Sequence, residues 1–421
     1  MASILRFENP ASLDRRRWFA GVAIRPRSGQ VAAVVVAVGG RGLEASVDQV
    51  QSLTANPGRE PFCSTVPVGS APSVDSLLDL RQRVAKVVAE AVSDLLHRAS
   101  LLPSRVVTLT VYDPGHWRLA QGIPSGCLSI CDGYRVAELT GLNVVDDLPG
   151  RDLACGGQGG PLLTVAQWIL LRDANRDEVL VDLGRTMRAT FLPAMSRPDA
   201  AASLWAMDVG PGTAMLDLLA QRFSAGQQAF DPGGRIAVQG QCIAELLAHW
   251  LRDPVFDCPP PRWQPGGIRP ERFLADAMQM AVRAGWSVRD LLCTATHLLA
   301  ESLRITLLRR VPSDMALSRI VVAGGGQQNG FLLNEISRCC ELPVVKAGEL
   351  NPPGESLEAA AVALMGMLHV DQVPSSGPRL TGSELSRVLG QLTPGSPQHW
   401  QRLLQEMADA HPARRPLRSA L

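Results

Sequence analysis

The chain has 421 residues with 41 Lys+Arg against 40 Asp+Glu, so it is nearly neutral. Apolar residues make up 46% of it and charged residues 19%, a composition that excludes a mostly disordered protein. The balanced charge leaves no electrostatic footprint for nucleic acid or an anionic membrane surface. The longest unbroken apolar run covers only residues 31–38, which is too short to cross a membrane, so we expect neither partner.

The cysteines and the first residues of the chain indicate a reducing compartment. Nine cysteines are an odd number, and their spacing contains neither a CxxC pair nor a His/Cys cluster of the kind that binds zinc. Arg6, Glu8 and Pro10 interrupt the region where a secretory signal needs apolar residues. We therefore expect free thiols and a cytoplasmic location.

The first part of the chain predicts a hairpin, a long helix and a strand. Two apolar segments within 18–38 are separated by the turn-forming residues 25–29, which is typical of a β-hairpin. Apolar side chains at helical spacing predict an amphipathic helix over 76–99, and residues 106–111 predict the strand after it. A helix-like apolar run follows at 162–171.

The later part of the chain continues the alternation. Strands are predicted at 178–183 and 189–192, and a third strand ends at Asp208. A long helix over 288–310 precedes a strand at 319–323 and a further helix. Alternating strands and helices of this kind predict an α/β protein.

The clearest local signal is the run Gly324-Gly325-Gly326, which follows a buried strand and precedes a helix. Glycines at such a position let the backbone approach a ligand, and the free amides at the helix start favour anionic oxygens. A tight strand-to-helix turn without a ligand explains the same pattern equally well.

Asp208 and the turn Gly210-Pro211-Gly212 form a second signal. A carboxylate at the end of an apolar strand, beside a helix start, suits a general base or a metal ligand. Taken in isolation, an aspartate at this position is more often a helix N-cap.

A third signal is the loop Gly156-Gly157-Gln158-Gly159-Gly160-Pro161, which is too specialised for an ordinary connection. We interpret it as a loop that approaches a ligand closely. Asp147 and Asp152 flank Pro149-Gly150 just before it. These two aspartates either belong to a surface turn, which the residues alone favour, or orient the glycine loop.

Taken in order, these segments resemble the anhydro-N-acetylmuramic acid kinases of bacterial peptidoglycan recycling. The resemblance extends from about residue 18 to about residue 366, and it is clearest at 132–141 (DGYRVAELTG) and 151–162 (RDLACGGQGGPL). Further matches are DVGPG at 208–212 with Asp217, PPP at 259–261, TAT at 294–296, GGG at 324–326 with Asn329, and LEA at 357–359.

The resemblance implies an α/β, two-lobed actin-like ATPase (sugar kinase) fold with an interlobe cleft. It also implies a kinase that uses ATP and Mg²⁺, with Asp208 as the base that activates a water to open the anhydro bridge of the sugar. The freed 6-hydroxyl then takes the γ-phosphoryl group. The implied substrate-binding residues are Asp147, Asp152, Gly156, Gly157, Gln158 and Gly159, and the implied nucleotide-binding residues are Arg25, Arg27, Gly184, Gly210, Gly212, Gly324, Gly325, Gly326 and Asn329. The metal ligands stay unknown.

The chain departs from the family pattern on the phosphate side. The first phosphate loop has lost both of its acids, and its residues 25–27 read Arg-Pro-Arg, in which Pro26 removes an amide donor. Arg185 and Arg188 stand where the family pattern has glycine and asparagine. Arginine side chains bind phosphate in bidentate fashion, so they are able to replace the lost loop. The alternative is a catalytically inactive paralogue that binds a sugar or acts as a regulator.

Lobe boundaries follow from the same resemblance. We expect a first lobe at 15–140 with a returning helix at 355–370, and a second lobe at 141–354. Residues 371–421 are polar, Pro-rich and carry two helical patterns, so we assign them to a C-terminal extension. The expected partners are a small amino sugar and ATP, and the resemblance allows a homodimer.

Overall fold

The computed structural model describes residues 16–25, 30–55, 73–224, 226–312, 315–350 and 356–410. The strands of this part of the chain are β1 (Arg17–Arg25), β2 (Gln30–Gly39), β3 (Ser46–Ala55), β4 (Val106–Tyr112), β5 (His116–Ala120), β6 (Ile123–Leu128), β7 (Val144–Asp146), β8 (Asp177–Leu183), β9 (Met187–Leu192), β10 (Trp205–Gly210), β11 (Leu317–Ala323), β12 (Val344–Lys346) and β13 (Gln391–Thr393). The α-helices are α1 (Val74–Arg98), α2 (Gly133–Thr140), α3 (Leu148–Ala154), α4 (Thr164–Leu171), α5 (Thr213–Phe223), α6 (Ala244–Leu251), α7 (Glu271–Ala284), α8 (Val288–Arg310), α9 (Gly330–Cys340), α10 (Leu357–Val370) and α11 (Pro397–Ala410).

The elements with the clearest periodicity are confirmed. The predicted hairpin is β1 and β2, paired from Arg17 opposite Val38 to Arg25 opposite Gln30, and its turn lies outside the described residues. The predicted helix over 288–310 is α8 with the same bounds. The prediction of two helices after residue 372 is wrong for the described residues, because that segment contributes β13 and the single helix α11.

Two sheets share one strand order. The first sheet runs β3-β2-β1-β4-β7, with β13 added at the β7 edge, and the second runs β10-β9-β8-β11-β12. In each sheet the first strand in sequence pairs antiparallel with the second and parallel with the fourth. This repeated order confirms the predicted α/β architecture of two sheet-based lobes.

Three apolar cores hold the sheets and helices in layers. One core packs α1 and α2 on the outer face of the first sheet. A second core packs α5, α8 and α9 on the outer face of the second sheet. The third includes α4 and α10 together with side chains from both sheets, so these two helices lie between the sheets.

Helix α8 has the length and apolar composition of a membrane-spanning segment, and it is the one such helix among the described residues. About 72% of its most apolar window is buried inside the protein. Burial of this kind is what a core helix of a globular protein shows, since its apolar face contacts neighbouring helices and the second sheet rather than lipid.

Helix α10 packs on β1 at unusually short range. A Cβ atom added to Gly21 in the middle of β1 would stand 2.3 Å from the Ala359 carbonyl oxygen and 2.3 Å from the Ala363 nitrogen. At the far end of α10, a Cβ on Gly366 would stand 2.2 Å from Oγ1 of Thr110. These glycines let the helix backbone approach the sheet more closely than any side chain would allow.

Ion pairs join β1 to α10 at both ends. Arg17 at the start of β1 binds Asp371, just after α10, through Nη1 at 2.6 Å and Nη2 at 2.9 Å. The side chains of both residues are buried. Arg25 at the end of β1 faces Glu358 over 3.6 Å, and both of these side chains are more than a third exposed. The first pair is therefore a structural clamp, whereas the second is a weak pair that a ligand is able to displace.

The lobe boundaries drawn from the sequence stay a proposal, and two strands bear on them. β7 pairs with β4, and β13 pairs with β7, so both belong to the first sheet. The predicted boundaries had given β7 to the second lobe and β13 to the extension. We propose that residues 144–146 and 391–393 are counted with the first lobe.

Replacing Gly21 by alanine should destabilise the protein, because the new methyl group has to push α10 away from β1. We expect a loss of about 1–3 kcal/mol in the free energy of unfolding, measured by urea denaturation. Gly330→Ala is the matched control, since an added Cβ there meets no atom within 4 Å. Equal stability of the two variants would contradict the close packing of α10 on β1.

Asp371→Asn should cost about 3–5 kcal/mol of unfolding free energy at neutral pH, because it breaks a buried ion pair. Burial alone would raise the pKa of Asp371, but hydrogen bonds from Arg17 and Gly42 hold it below its ordinary value. The stabilisation is therefore present above about pH 4 and is lost as the pH falls through the lowered pKa. Urea denaturation at several pH values should show the gap between variant and wild type closing below about pH 4.

The exposed pair Arg98–Asp94 provides the control for this series. Asp94→Asn should change the unfolding free energy by less than about 1 kcal/mol at any of these pH values. A pH-independent effect of Asp371→Asn would mean that the ionised Asp371 contributes nothing to the clamp.

Candidate active site

Each sheet contains a pair of neighbouring parallel strands, β1 with β4 and β8 with β11, and the carboxyl ends of both pairs meet at one cavity. Arg25 ends β1 and Tyr112 ends β4 in the first sheet, while Asp182 near the end of β8 and Gly324 after β11 belong to the second. Glu358, at the start of α10, completes the wall of this space of about 120 Å³. We call it the cleft cavity. Ligands of α/β proteins bind most often at this end of the strands.

A row of three charged side chains crosses the second sheet beside the cleft cavity. In the antiparallel register, Arg188 of β9 lies opposite Asp182 of β8 and opposite Asp208 of β10. Arg188 lines the cleft cavity, and its Nε donates a hydrogen bond to Oδ1 of Asp208 over 3.0 Å. The arginine on the middle strand therefore stands between two carboxylates of like charge.

Asp208 is almost completely enclosed, with 1% of its surface exposed. Burial raises the pKa of Asp208 above its ordinary value, and the adjacent Arg188 guanidinium opposes that rise. The Asp208 backbone is fixed by Arg262, whose carbonyl accepts the Asp208 N–H over 2.8 Å and whose Nε donates to the Asp208 carbonyl over 2.6 Å. The carboxylate is thus held in one place by strand pairing and by a neighbouring loop.

Two other buried carboxylates of the second sheet show what is special about Asp208. Asp177 pairs with Arg197 and Glu178 pairs with Arg319, and both oxygens of each carboxylate accept hydrogen bonds. In Asp208, by contrast, Oδ2 is buried and accepts no side-chain hydrogen bond among the described residues, and the other group that faces the carboxylate is the backbone of Gln264. A buried carboxylate oxygen that no side chain satisfies, which Asp146 also has at Oδ1, is a candidate for ligand binding or reaction, because a structural carboxylate usually has both oxygens paired.

Asp208 also lines a larger cavity of about 490 Å³. We call residues 257–270 the proline loop and this space the proline-loop cavity, because residues 255–272 form most of its wall. Its polar lining includes Gln158, Arg269 and Glu271. This volume and this lining fit a small polar molecule next to the free oxygen of Asp208.

Asp152 holds the glycine loop from inside the protein. It has no exposed surface, its Oδ2 accepts the N–H of Gly159 over 2.8 Å, and its Oδ1 accepts the Thr381 hydroxyl over 2.5 Å. A Cβ on Gly157 would stand 2.2 Å from the same carboxylate. The surface-turn interpretation is therefore wrong for Asp152, which orients the loop and presents no surface to a substrate.

Gln158 connects the glycine loop to the proline loop. Its Nε2 donates to the carbonyl of Pro261 over 3.0 Å, and its Oε1 accepts the N–H of Trp263 over 3.1 Å. The Trp263 ring meets the ring of Trp117 edge to face at 5.1 Å between centroids. Gly159 and Gly160 make room for these two rings, since a Cβ at either would lie within 2.6 Å of an aromatic carbon.

Gly156 is the first residue of the glycine loop and does not line the proline-loop cavity. Its φ of 77° is a left-handed conformation that favours glycine, and an added Cβ would contact Glu384 at 3.6 Å. Of the six implied substrate-binding residues, the structure brings Gln158 alone to the wall of the cavity that Asp208 lines.

Asp147 lies at a different pocket. Its Oδ1 accepts the N–H of Gly150 over 3.2 Å, which makes it the N-cap of α3. It lines a narrow space beyond the carboxyl end of β4, together with Asp113. Burial, and then the charges of Asp147 and Asp113, raise the pKa of Asp146 to about 7. The structure thus places Asp147 in an acidic cluster that is separate from Asp208.

Three of the glycines assigned to the nucleotide, Gly184, Gly212 and Gly324, lie in close contact with neighbouring groups of the protein. The Gly184 carbonyl accepts the N–H of Thr213 over 2.9 Å, and a Cβ on Gly212 would lie 2.5 Å from the same carbonyl oxygen. A Cβ on Gly324, which has a φ of 80°, would lie 2.5 Å from Oδ1 of Asp182. Close backbone contact therefore explains these glycines, and Gly324 in addition lines the cleft cavity.

A third cavity, of about 280 Å³, lies on the other side of the Gly324–Gly326 turn. Gly325, Gly326 and Asn329 line it, and Asn329 also caps α9 by accepting the N–H of Leu332 over 3.0 Å. We call it the α9 cavity. Gly210 is instead buried against Ser302, where an added Cβ would stand 3.0 Å from the hydroxyl. Arg27 lies outside the described residues.

The sequence alone did not reveal the contact between Arg188 and Asp208. All three residues of the charged row lie on or beside predicted strands, at 178–183, at 189–192 and at the strand that ends at Asp208. The antiparallel register that places them side by side depends on the order β8-β9-β10, which no local pattern specifies. Tyr112 of the cleft cavity carried no signal of its own.

The described residues contain no group of three or more His, Cys, Asp or Glu side chains arranged to hold a metal ion. Two carboxylates do line the cleft cavity, but each faces an arginine. Arg188 lies opposite Asp182 in the strand register, and Arg25 faces Glu358 over 3.6 Å. Because Mg²⁺ at nucleotide sites is usually held by one or two carboxylates together with substrate phosphates, this donor set is compatible with a magnesium ion that enters the cavity with ATP.

Comparison with known proteins agrees with the resemblance in the sequence. The family model described as anhydro-N-acetylmuramic acid kinase matches residues 59–395. An anhydro-N-acetylmuramic acid kinase of Rhodococcus erythropolis is 31% identical over 323 residues, which are 76% of this chain and 78% of that protein. One from Acaryochloris marina is 27% identical over 367 residues, which are 86% of this chain and 95% of that protein.

Among solved structures, a ROK family glucokinase from Streptomyces griseus in complex with glucose and AMPPNP covers 83% of this chain and 98% of its own, at 12% identity and a TM-score of 0.35. The family model spans most of the chain, and a relative above 30% identity is covered over most of its own length. The chain belongs to the anhydro-N-acetylmuramic acid kinase family.

Proposed function

We propose that this protein is an ATP-dependent kinase that opens the 1,6-anhydro ring of anhydro-N-acetylmuramic acid and phosphorylates its 6-hydroxyl. The product is N-acetylmuramic acid 6-phosphate, an intermediate of peptidoglycan recycling. The observation that carries the proposal is the buried carboxylate of Asp208, whose Oδ2 accepts no side-chain hydrogen bond among the described residues and which lines a cavity of about 490 Å³. Membership of the family supports the substrate.

Asp208 acts as the general base of the first step. A water molecule attacks the anomeric carbon while Asp208 accepts its proton, and the bond between that carbon and the bridging oxygen breaks. The bridging oxygen stays on carbon 6 and attacks the γ-phosphorus of ATP, so ADP leaves. One water and one ATP are consumed for each sugar phosphate and ADP formed, and the proton on Asp208 returns to solvent.

The cleft cavity is our proposed site for the transferred phosphoryl group. Arg25 and Arg188 supply positive charge from opposite sides of this cavity, and Gly324 lets the backbone approach. The Arg25–Glu358 pair is long and partly exposed, so its exchange for a phosphate contact costs little. Phosphoryl transfer needs mainly positioning and charge neutralisation, which two guanidinium groups are able to provide.

We propose the α9 cavity for the rest of the nucleotide, with Gly325, Gly326 and Asn329 along its wall. The resemblance alone assigns nucleotide binding to four further residues, and this assignment stays a prediction for Arg27, Gly184, Gly210 and Gly212. The magnesium ion implied by the resemblance would enter with ATP beside Asp182 and Glu358 and would neutralise charge on the phosphates, and no step of this proposal depends on it. We further propose a cytoplasmic location, and the assembly stays open between a monomer and a homodimer.

The inactive paralogue is the alternative that the degenerate first phosphate loop suggested. Family membership supports the kinase over this alternative. A turnover assay is needed to distinguish the kinase from the inactive paralogue, because either one would bind the sugar.

Asp208→Asn should reduce turnover by about 100- to 10,000-fold, because it removes the base while keeping the shape of the side chain. The measurement is ADP release by the purified protein with the anhydro sugar, ATP and magnesium. Asp94→Asn, an exposed position far from the cavities, is the control and should retain full activity. Equal rates for wild type and Asp208→Asn would attribute the signal to a contaminating kinase and leave the inactive paralogue standing.

Arg25→Ala should weaken ATP binding about 10- to 100-fold in isothermal titration calorimetry, the loss expected for one charged hydrogen-bonding contact. Arg185→Ala tests the second arginine that departs from the family pattern, and Arg98→Ala on the exposed face of α1 is the control. Binding of the anhydro sugar should be unchanged in all three variants. Tight ATP binding that Arg25→Ala does not weaken would refute the role of Arg25 in the phosphate site, and the same result for Arg185→Ala would refute a role of Arg185.

A further inference from the structure

Arg188 is the residue at which two cavities meet. Its side chain lines the cleft cavity, while its partner Asp208 lines the proline-loop cavity. The hydrogen bond of 3.0 Å between Arg188 Nε and Asp208 Oδ1 therefore joins a residue of the cleft cavity to a residue of the proline-loop cavity. The Asp208 side chain is 1% exposed, whereas the Arg188 side chain is 29% exposed.

The strand register holds Arg188 in this position. Arg188 pairs with Asp208 on one side and with Asp182 on the other, because β9 is the middle strand of three. Side chains directly opposite each other on neighbouring antiparallel strands have their Cβ atoms about 5 Å apart. The guanidinium is thus supplied by the fold itself and does not depend on a ligand to reach Asp208.

We propose that Arg188 is a positioning residue for Asp208, which keeps this carboxylate ionised and leaves its second oxygen for the reacting water. The proposal rests on the proposed function, in which Asp208 is the base. It is specific to this chain, because the resemblance places an asparagine at the position of Arg188. An uncharged amide is not able to compensate the burial of a carboxylate to the same degree.

The charged groups around Asp208 determine in which direction its pKa moves when Arg188 is replaced. The groups that act on Asp208 or on its partner Arg188 are Asp182 in the second sheet, Arg262 and the backbone of Gln264 in the proline loop, Tyr112 in the first sheet and Glu358 on α10. Arg25 acts on Asp182. Burial raises the pKa of Asp208, and Arg188 is the strongest group that opposes this rise. Without Arg188 the carboxyl group should become protonated at a higher pH.

The test is a pair of titrations on wild type, Arg188→Met and Arg188→Lys. The first follows kcat against pH, and the second follows the ¹³C carboxyl signal of Asp208, which Asp208→Asn identifies by its absence. In Arg188→Met two midpoints should rise by about one pH unit or more. One is the pH at which kcat falls on the acid side of its profile, and the other is the pH midpoint of the Asp208 carboxyl titration. Arg188→Lys, which keeps the charge, should restore most of the wild-type value.

Arg319→Met is the matched control, because Arg319 forms the corresponding pair with buried Glu178 in the same sheet. It should lower the melting temperature without moving either titration. An unshifted Asp208 titration in folded Arg188→Met would overturn the proposal, and so would an equal shift in Arg319→Met. If Arg188→Met does not fold, Arg188→Gln serves as the neutral variant under the same criteria.

The pH profile of kcat and the carboxyl titration test the role of Arg188 and the proposed function independently. A wild-type protein without turnover would refute the kinase, yet the carboxyl titration would still show whether Arg188 sets the ionisation of Asp208. Turnover with an acid limb and a carboxyl signal that do not respond to Arg188 would leave the kinase intact and refute the role of Arg188.

Discussion

The close contact between β1 and α10 is the constraint on which the two-sheet arrangement depends. Gly21 allows the helix backbone to lie directly on the strand, and the buried pair of Arg17 with Asp371 fixes the outer end of the contact. The inner end, with Arg25 facing Glu358, opens into the cleft cavity. The same strand and helix thus hold the core at one end and provide charged groups for a ligand at the other.

The second sheet buries several carboxylates, and the charge of each needs a neighbouring positive group to offset the cost of burial. Asp177 and Glu178 are saturated by their arginines, and burial of this kind is structural. Asp208 and Arg188 make the same type of pair but leave one carboxylate oxygen without a side-chain partner in the part of the chain that the structure describes. We regard this incomplete pairing as the physical basis of the proposed chemistry, because a buried, ionised and only half-satisfied carboxylate is a strong acceptor for the proton of a bound water.

Much of the fold was predictable from the sequence, because hydrophobic periodicity is local. The hairpin of β1 and β2 and the bounds of α8 followed from patterns within single segments. The addition of β13 to the first sheet did not, because its partner β7 lies more than two hundred residues earlier in the chain. Polar, Pro-rich sequence around a three-residue strand gives no periodic signal that would reveal such a pairing.

The site was predictable in its identity but not in its geometry. Asp208 and the glycine loop were recognisable from their residues, whereas the roles within the loop were not. Asp152 turned out to be a buried support, because its two hydrogen bonds go to Gly159 and to Thr381, a residue 229 positions away. The position of Arg188 beside Asp208 likewise depends on strand register, which arises from the packing of the whole sheet.

Mass spectrometry of the reaction product tests the central claim most directly. The protein would be incubated with anhydro-N-acetylmuramic acid and ATP, and the sugar product compared with the starting sugar. We predict a product heavier by one water and one phosphoryl group, with one ADP formed for each sugar converted. A phosphorylated sugar that still lacks the water, or ATP hydrolysis that leaves the sugar unchanged, would contradict the account.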